Sequence, residues 1–138
     1  MSAKRYLVDT NVLLRFLSGQ PPAQANAAKR LFSEAAAGDV LLDISPVIVA
    51  EAFYTLNSFY GVDRRTAADQ ISLLLQQHGV KLRDGDQVFT ALQILRTVNI
   101  AFADAFLAAS ASQEKVPVAS FDHDFDKLKG VTRFEPQE

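Results

Sequence analysis

The chain has 138 residues, of which 49% are apolar and 22% charged, an ordinary composition for one globular domain and too short for two. It contains no cysteine, which excludes disulfide frameworks, thiolate zinc sites, iron–sulfur clusters and cysteine nucleophiles together. Fourteen Lys and Arg against sixteen Asp and Glu leave a net charge of −2, so a general nucleic-acid coat protein is excluded. Any contact with nucleic acid must use a local patch or bound cations.

Asp9 and Arg15 interrupt the first apolar stretch, so a signal peptide is not expected there. No apolar run reaches the roughly 18 residues of a membrane span, which makes the cytoplasm the expected address. The sequence shows no internal repeat and no low-complexity linker. Its glycines form neither a dinucleotide-binding fingerprint nor a phosphate loop. One domain over residues 1–138 is expected.

Arg5 to Val8 reads as a short buried strand ending at Asp9. Val12, Leu13, Phe16 and Leu17 recur at helical spacing up to Gly19. Pro21-Pro22 opens a second helix that Gly38 closes, and Val40 to Ile44 is strand-like. Ser45-Pro46 starts a third helix, with Ile48, Ala52, Leu56 and Phe59 on its apolar stripe and Gly61 as its stop. Asp63 caps a fourth helix that runs towards His78 and Gly79.

Val80 to Leu82 is a short strand, and Asp84 or Asp86 starts a helix through Leu92 and Leu95. An Ala-rich helix opens at Phe102 and reaches about Gln113. Val116 to Phe121 reads as a strand, Asp122 to Leu128 as a short helix, and Val131 to Phe134 as a last edge strand. Strands alternating with helices imply an α/β domain with a mostly parallel sheet.

Ligands of open parallel sheets bind beyond the carboxyl ends of the strands. Asp9 and Asp122 stand at such ends. Each has a plain alternative, because an Asp at a strand-to-helix turn also caps the helix. Glu51 interrupts the apolar run Val47–Ala52 and is expected to be partly buried, where a carboxylate needs a partner or a cation. Asp104 lies among small residues at a helix start, where the macrodipole favours a carboxylate in any case.

If these carboxylates gather, they remain ionised together only with cations between them. Oxygen-only ligands suit Mg²⁺ or Mn²⁺. Two such ions about 3.5–4 Å apart would stabilise both the attacking and the leaving oxygen of a phosphodiester.

The segments Leu7-Val8-Asp9-Thr10-Asn11-Val12, Val49-Ala50-Glu51, Ile100 to Ala109 and Val118 to Leu128 occur in the order of one known family. In these pieces the chain resembles a PIN-domain ribonuclease, specifically the VapC-type toxin of toxin–antitoxin pairs. The resemblance spans essentially the whole chain. It implies a three-layer α/β/α sandwich around a mostly parallel sheet, and a metal-dependent endoribonuclease.

The family's acidic residues map onto Asp9, Glu51, Asp104 and Asp122, as catalytic and Mg²⁺- or Mn²⁺-holding groups. The fourth position is the least regular, and Asp124 and Asp126 stand beside it. Thr10, Asn11 and Ser120 are implied as supporting polar neighbours. A homodimer is implied too, as is a VapB-type antitoxin whose tail covers the acidic groove, with Phe53, Tyr54 and Tyr60 as candidates to line it.

Lys4-Arg5, Arg15, Arg64-Arg65 and Lys127 to Lys129 are the basic candidates for RNA phosphates, with Arg15 the best placed. His123 adjoins Asp122, and His78 lies near a helix end. Competing readings are a Mg²⁺-dependent phosphoryl-transfer domain, such as a receiver domain or dehalogenase-type phosphatase, and a binding module without chemistry. The first would want a second acidic residue beside Asp9, or Asp in place of Asn11.

Overall fold

The computed structural model describes residues 4–138. Strand β1 (Lys4–Leu7) leads into helix α1 (Thr10–Ser18), followed by α2 (Pro22–Ala36) and β2 (Val40–Ile44). Next come α3 (Pro46–Tyr54), a π-helical turn (Thr55–Phe59), α4 (Arg64–Leu75) and β3 (Val80–Leu82). The chain finishes with α5 (Gly85–Leu95), α6 (Phe102–Glu114), β4 (Val118–Ala119), a 3₁₀ turn (His123–Lys127) and β5 (Arg133–Phe134).

All described strand pairs are parallel, as the alternating pattern predicts. They form two sheets: β1-β2-β3, with β2 central, and β4-β5. Parallel pairing sends the ends of β1, β2 and β3 to the same edge, where α1 and α3 begin. No described helix is long and apolar enough to cross a membrane.

The core runs from Leu42 and Ile44 on β2 through Leu13, Val49, Ile71, Leu74, Val88, Leu92 and Leu95, all essentially water-free. Phe16 and Phe32 join α1 to α2, ring centroids 4.6 Å apart.

Several expectations change. The first strand is exposed along its length rather than buried, with Leu7 73% exposed, because β1 is an edge strand paired only to β2 in its sheet. The apolar stripe of α3 is Val49, Ala52, Phe53 and Leu56 rather than one through Ile48 and Phe59. The π-helical turn adds residues to one turn of helix, so Phe59 rotates off the stripe and is 83% exposed. Ser45 has the backbone of an N-cap, but its hydroxyl makes no capping bond. The strand expected over Val116 to Phe121 is regular only at Val118–Ala119.

Asp43 is a buried charge inside β2 that the strand pattern left unremarked. It is 2% exposed and shared by two arginines. Arg5 Nε donates to its Oδ2 at 3.0 Å, and Arg83 Nε lies 3.4 Å from its Oδ1. Burial opposes ionisation, but the Arg5 hydrogen bonds and the charges of Arg83 and Arg5 outweigh it and hold the carboxyl below its ordinary range. The pair contacts tie β1 and β3 to the central strand.

Gly79 turns α4 into β3 with φ +88°, and a Cβ there would lie 2.3 Å from the Ala35 carbonyl oxygen. Gly38 has the same φ but open space around it. Gly38→Ala should therefore cost about 1–2 kcal/mol, the left-handed strain alone. Gly79→Ala should cost clearly more in urea unfolding, because backbone must also move. Equal losses would show that the close approach to Ala35 is unimportant.

Candidate functional site

The acidic residues divide by what they already hold. Asp63 caps α4 by accepting from Thr66 N–H at 3.1 Å. Asp69 pairs with Arg96 and Asp43 with Arg5 and Arg83. Asp126 accepts from Arg133 Nε at 3.1 Å and lies 3.1 Å from His123 Nδ1. These groups have structural work.

Asp9 does not. It occupies the N-cap of α1 with extended backbone, yet its carboxylate makes no capping bond, so the plain reading of this residue fails. Thr10, the next residue, is buried, and its hydroxyl donates to Glu51 Oε2 at 2.7 Å. That bond ties the end of β1 to α3. Glu51 itself is exposed rather than partly buried, because it lies on the side of α3 opposite the Val49/Ala52/Phe53/Leu56 stripe.

Glu51, Asp104 and Asp124 line one cleft of about 640 Å³ between α3 and the start of α6. Asp104 lies in the first turn of α6 and is half-buried. Burial raises its pKa above the ordinary carboxylate value, and the charges of Asp122 and Asp124 raise it further. Among the described residues no arginine or lysine offsets that shift.

Asp122 has a second occupation: its Oδ1 accepts from Asp124 N–H at 2.8 Å, capping the 3₁₀ turn. Ser120 Oγ accepts from Asp122 N–H at 2.9 Å, so it shapes this loop. Asp124 reaches the cleft wall while bonded to Lys127 Nζ at 3.0 Å.

The structure thus brings Asp104 near Asp122 and Asp124, and places Glu51 on the same cleft. It puts Asp9 in a neighbouring cleft with Asp43, Ser45 and Arg83. Among the described residues no three His, Asp or Glu side chains converge enough to hold one ion together. The donor chemistry nonetheless fits a hard divalent cation, being all oxygen and uncompensated at Asp104.

Of the basic candidates, Arg5 serves Asp43, and Arg15 donates to Gln24 Oε1 at 2.8 Å beside Asn11. Arg64 stands in the acidic cleft but is spent on structure. It donates to the carbonyls of Leu95 and Ile100 and to Asn99 Oδ1, with its guanidinium 5.2 Å from the Phe53 ring. Asn57 and Asn99 also line this cleft and were not singled out by sequence, since nothing local marks them. Phe53 and Tyr54 line it as expected, whereas Tyr60 packs edge-on against Phe59. His78 and His123 are exposed.

A carboxyl whose pKa is raised in the fold carries a penalty when ionised. That penalty is full above the raised pKa and gone below the ordinary value of about 3.9. Asp104→Asn should therefore raise the melting temperature at neutral pH and leave it unchanged at about pH 3. Asp63→Ala should lower it at neutral pH, through loss of a helix cap. A fall on Asp104→Asn would make Asp104 a structural residue.

A family model described as "PIN domain" matches residues 6–131. Curated proteins give no match to the chain. Among solved structures, the chain is similar to the crystal structure of VapBC2 from Rickettsia felis bound to a DNA fragment from their promoter. The identity is 14%, 94% of this chain and 97% of that chain are covered, and the TM-score is 0.39, too distant a likeness to carry a role across. The family match runs from the second half of β1 through α3 with Glu51, the first turn of α6 with Asp104 and the 3₁₀ turn that Asp122 and Asp124 open, and the chain belongs to the PIN domain family.

Proposed function

We propose that the protein is a Mg²⁺- or Mn²⁺-dependent endoribonuclease, acting as the VapC-type toxin of a toxin–antitoxin pair. The observation that carries this reading is the half-buried Asp104, pushed up by burial and by Asp122 and Asp124, with no cation of the described chain to relieve it. Asp43, Asp63, Asp69 and Asp126 are paired or capping; this one is neither. Groups with such environments cluster at functional sites.

Asp9, Glu51, Asp104 and Asp122 are the proposed holders of cations, Asp9 from its own cleft and the others at or beside the acidic one, with Asp124 as an alternative to Asp122. When bound, such a cation supplies the charge that keeps these carboxylates ionised and the Lewis acidity that activates water against a phosphodiester. Thr10 fixes one Glu51 oxygen and leaves the other free to serve the site. Asn11 is exposed one residue after Thr10, at the start of α1. Tyr54, exposed on this cleft, supplies an aromatic surface on which a base can rest.

The toxin role rests on the ordered sequence motifs. It brings with it a VapB-type antitoxin, a homodimer or larger assembly, and the cytoplasm as the place of action. An antitoxin tail offering Arg or Lys would find its partners at Asp104 and Glu51.

The test is RNA cleavage by the protein freed of any partner, with Mn²⁺ or Mg²⁺ against EDTA. Cutting should need the metal, leave 5′-phosphate and 3′-hydroxyl ends, and fall at least about 100-fold in Asp9→Asn and in Asp104→Asn. Mn²⁺ should also raise the wild-type melting temperature, by about 2.7 kcal/mol of stability at a hundred times its dissociation constant. Cutting that persists in both variants places the site elsewhere. No cutting and no Mn²⁺ stabilisation supports a binding module.

A further inference from the structure

The cleft beside Asp9 is not the acidic one, and its chemistry is different. It has a volume of about 410 Å³ and lies at the shared end of β1, β2 and β3. Its walls are Leu7, Val8, Asp9, Asp43, Ser45, Ile48 and Arg83. Arg83 is the cation there, with its side chain 52% exposed. Nothing in the sequence reading assigned it a role.

We propose that Arg83 is a phosphate-binding residue that holds a single-stranded RNA backbone in this cleft, next to Asp9. The inference rests on the ribonuclease reading and adds to it the residue that positions the strand.

Three observations carry it. Asp43 braces the guanidinium from beneath, with Arg83 Nε 3.4 Å from Oδ1 and Nη2 3.5 Å from Oδ2. Asp43 is buried, so the brace is fixed by the sheet, while about half of Arg83 faces solvent. A guanidinium has five donors in a rigid fork, and one carboxylate does not use them all.

Second, Asp43 has more than one cation to neutralise it. Arg5 shares Asp43, and Lys81 is register-paired with Asp43 and therefore on the same sheet face. Of the charged groups, Asp9, Asp43 and Arg83 line the cleft itself, and Arg5 reaches Asp43 from β1. Asp84 and Asp86 follow Arg83 in sequence but do not line the cleft.

Third, Ser45 offers a hydroxyl that its helix does not use. A fork with unused donors and a spare hydroxyl suit a phosphodiester, and they stand beside a carboxylate, Asp9, proposed for catalysis. A strand held at Arg83 would run past Asp9 towards Glu51, which Thr10 connects to the same strand end.

The test is binding of a fluorescein-labelled, mixed-sequence single-stranded RNA, followed by anisotropy in EDTA so that nothing is cut. Arg83→Gln keeps a donor for Asp43 and removes the charge. It should bind about tenfold more weakly, and its slope of log affinity against log salt should be shallower by about 0.7, one phosphate contact. Arg83→Lys keeps the charge and should keep the wild-type slope. Melting temperatures of both variants check that the sheet is intact.

Wild-type affinity and slope in Arg83→Gln would overturn the proposal. So would equal loss of slope in Arg83→Gln and Arg83→Lys, which would mean packing rather than charge. Unchanged RNA binding with weakened capture of an oligoglutamate peptide would assign the arginine to a protein partner instead, and overturn the RNA role. If wild type cuts RNA with Mn²⁺ while Arg83→Gln binds normally, only the role of Arg83 falls. If wild type neither binds nor cuts, both readings fall together.

Discussion

A carboxylate buried in the middle strand organises this molecule. Asp43 lies on β2 with almost no solvent contact, and an ionised group in that position is tolerable only if paired. Arg5 on β1 and Arg83 just after β3 supply the pairing from either side. The three strands are thus held by charge as well as by their ladders. Their parallel direction then delivers Leu7, Ile44 and Leu82 to one edge. The beginnings of α1 and α3, and the clefts between them, follow from that edge.

The same edge separates two kinds of electrostatics. Around Asp43 the charges are paired, one carboxylate between Arg5 and Arg83. Around Asp104 the nearest charges, Asp122 and Asp124, are like its own, and the carboxyl is held above its ordinary range. The ribonuclease proposed above would need both. In that proposal the acidic cluster receives cations, and Arg83 supplies a phosphate contact that the overall charge of −2 does not favour.

Helix starts in this fold show how little an Asp at a turn says alone. Asp63 and Asp122 cap, as their position suggests. Asp9 has the same local signature and does not cap. The difference lies in side-chain rotation, which no sequence pattern encodes. Asp122 and Asp124 differ in a similar way. The first was favoured for its nearness to the strand end, but it is the second that lines the cleft.

The sequence by itself determined the alternation of strands and helices, the positions of most of their ends, the parallel pairing and the family. These depend on local periodicity, on Pro and Gly punctuation, and on motifs read along the chain. Only the tertiary structure decided that β1 is an exposed edge, that the π-helical turn rotates Phe59 outward, and that Asp9 and Asp104 open onto different clefts. It also decided that Arg83 and Asp43, forty residues apart, form one unit. An isolated Asp inside the apolar run Val40–Ile44 was a readable sign that something must pair with it. Which residue pairs is a matter of through-space distance, and that is set by how the strands register.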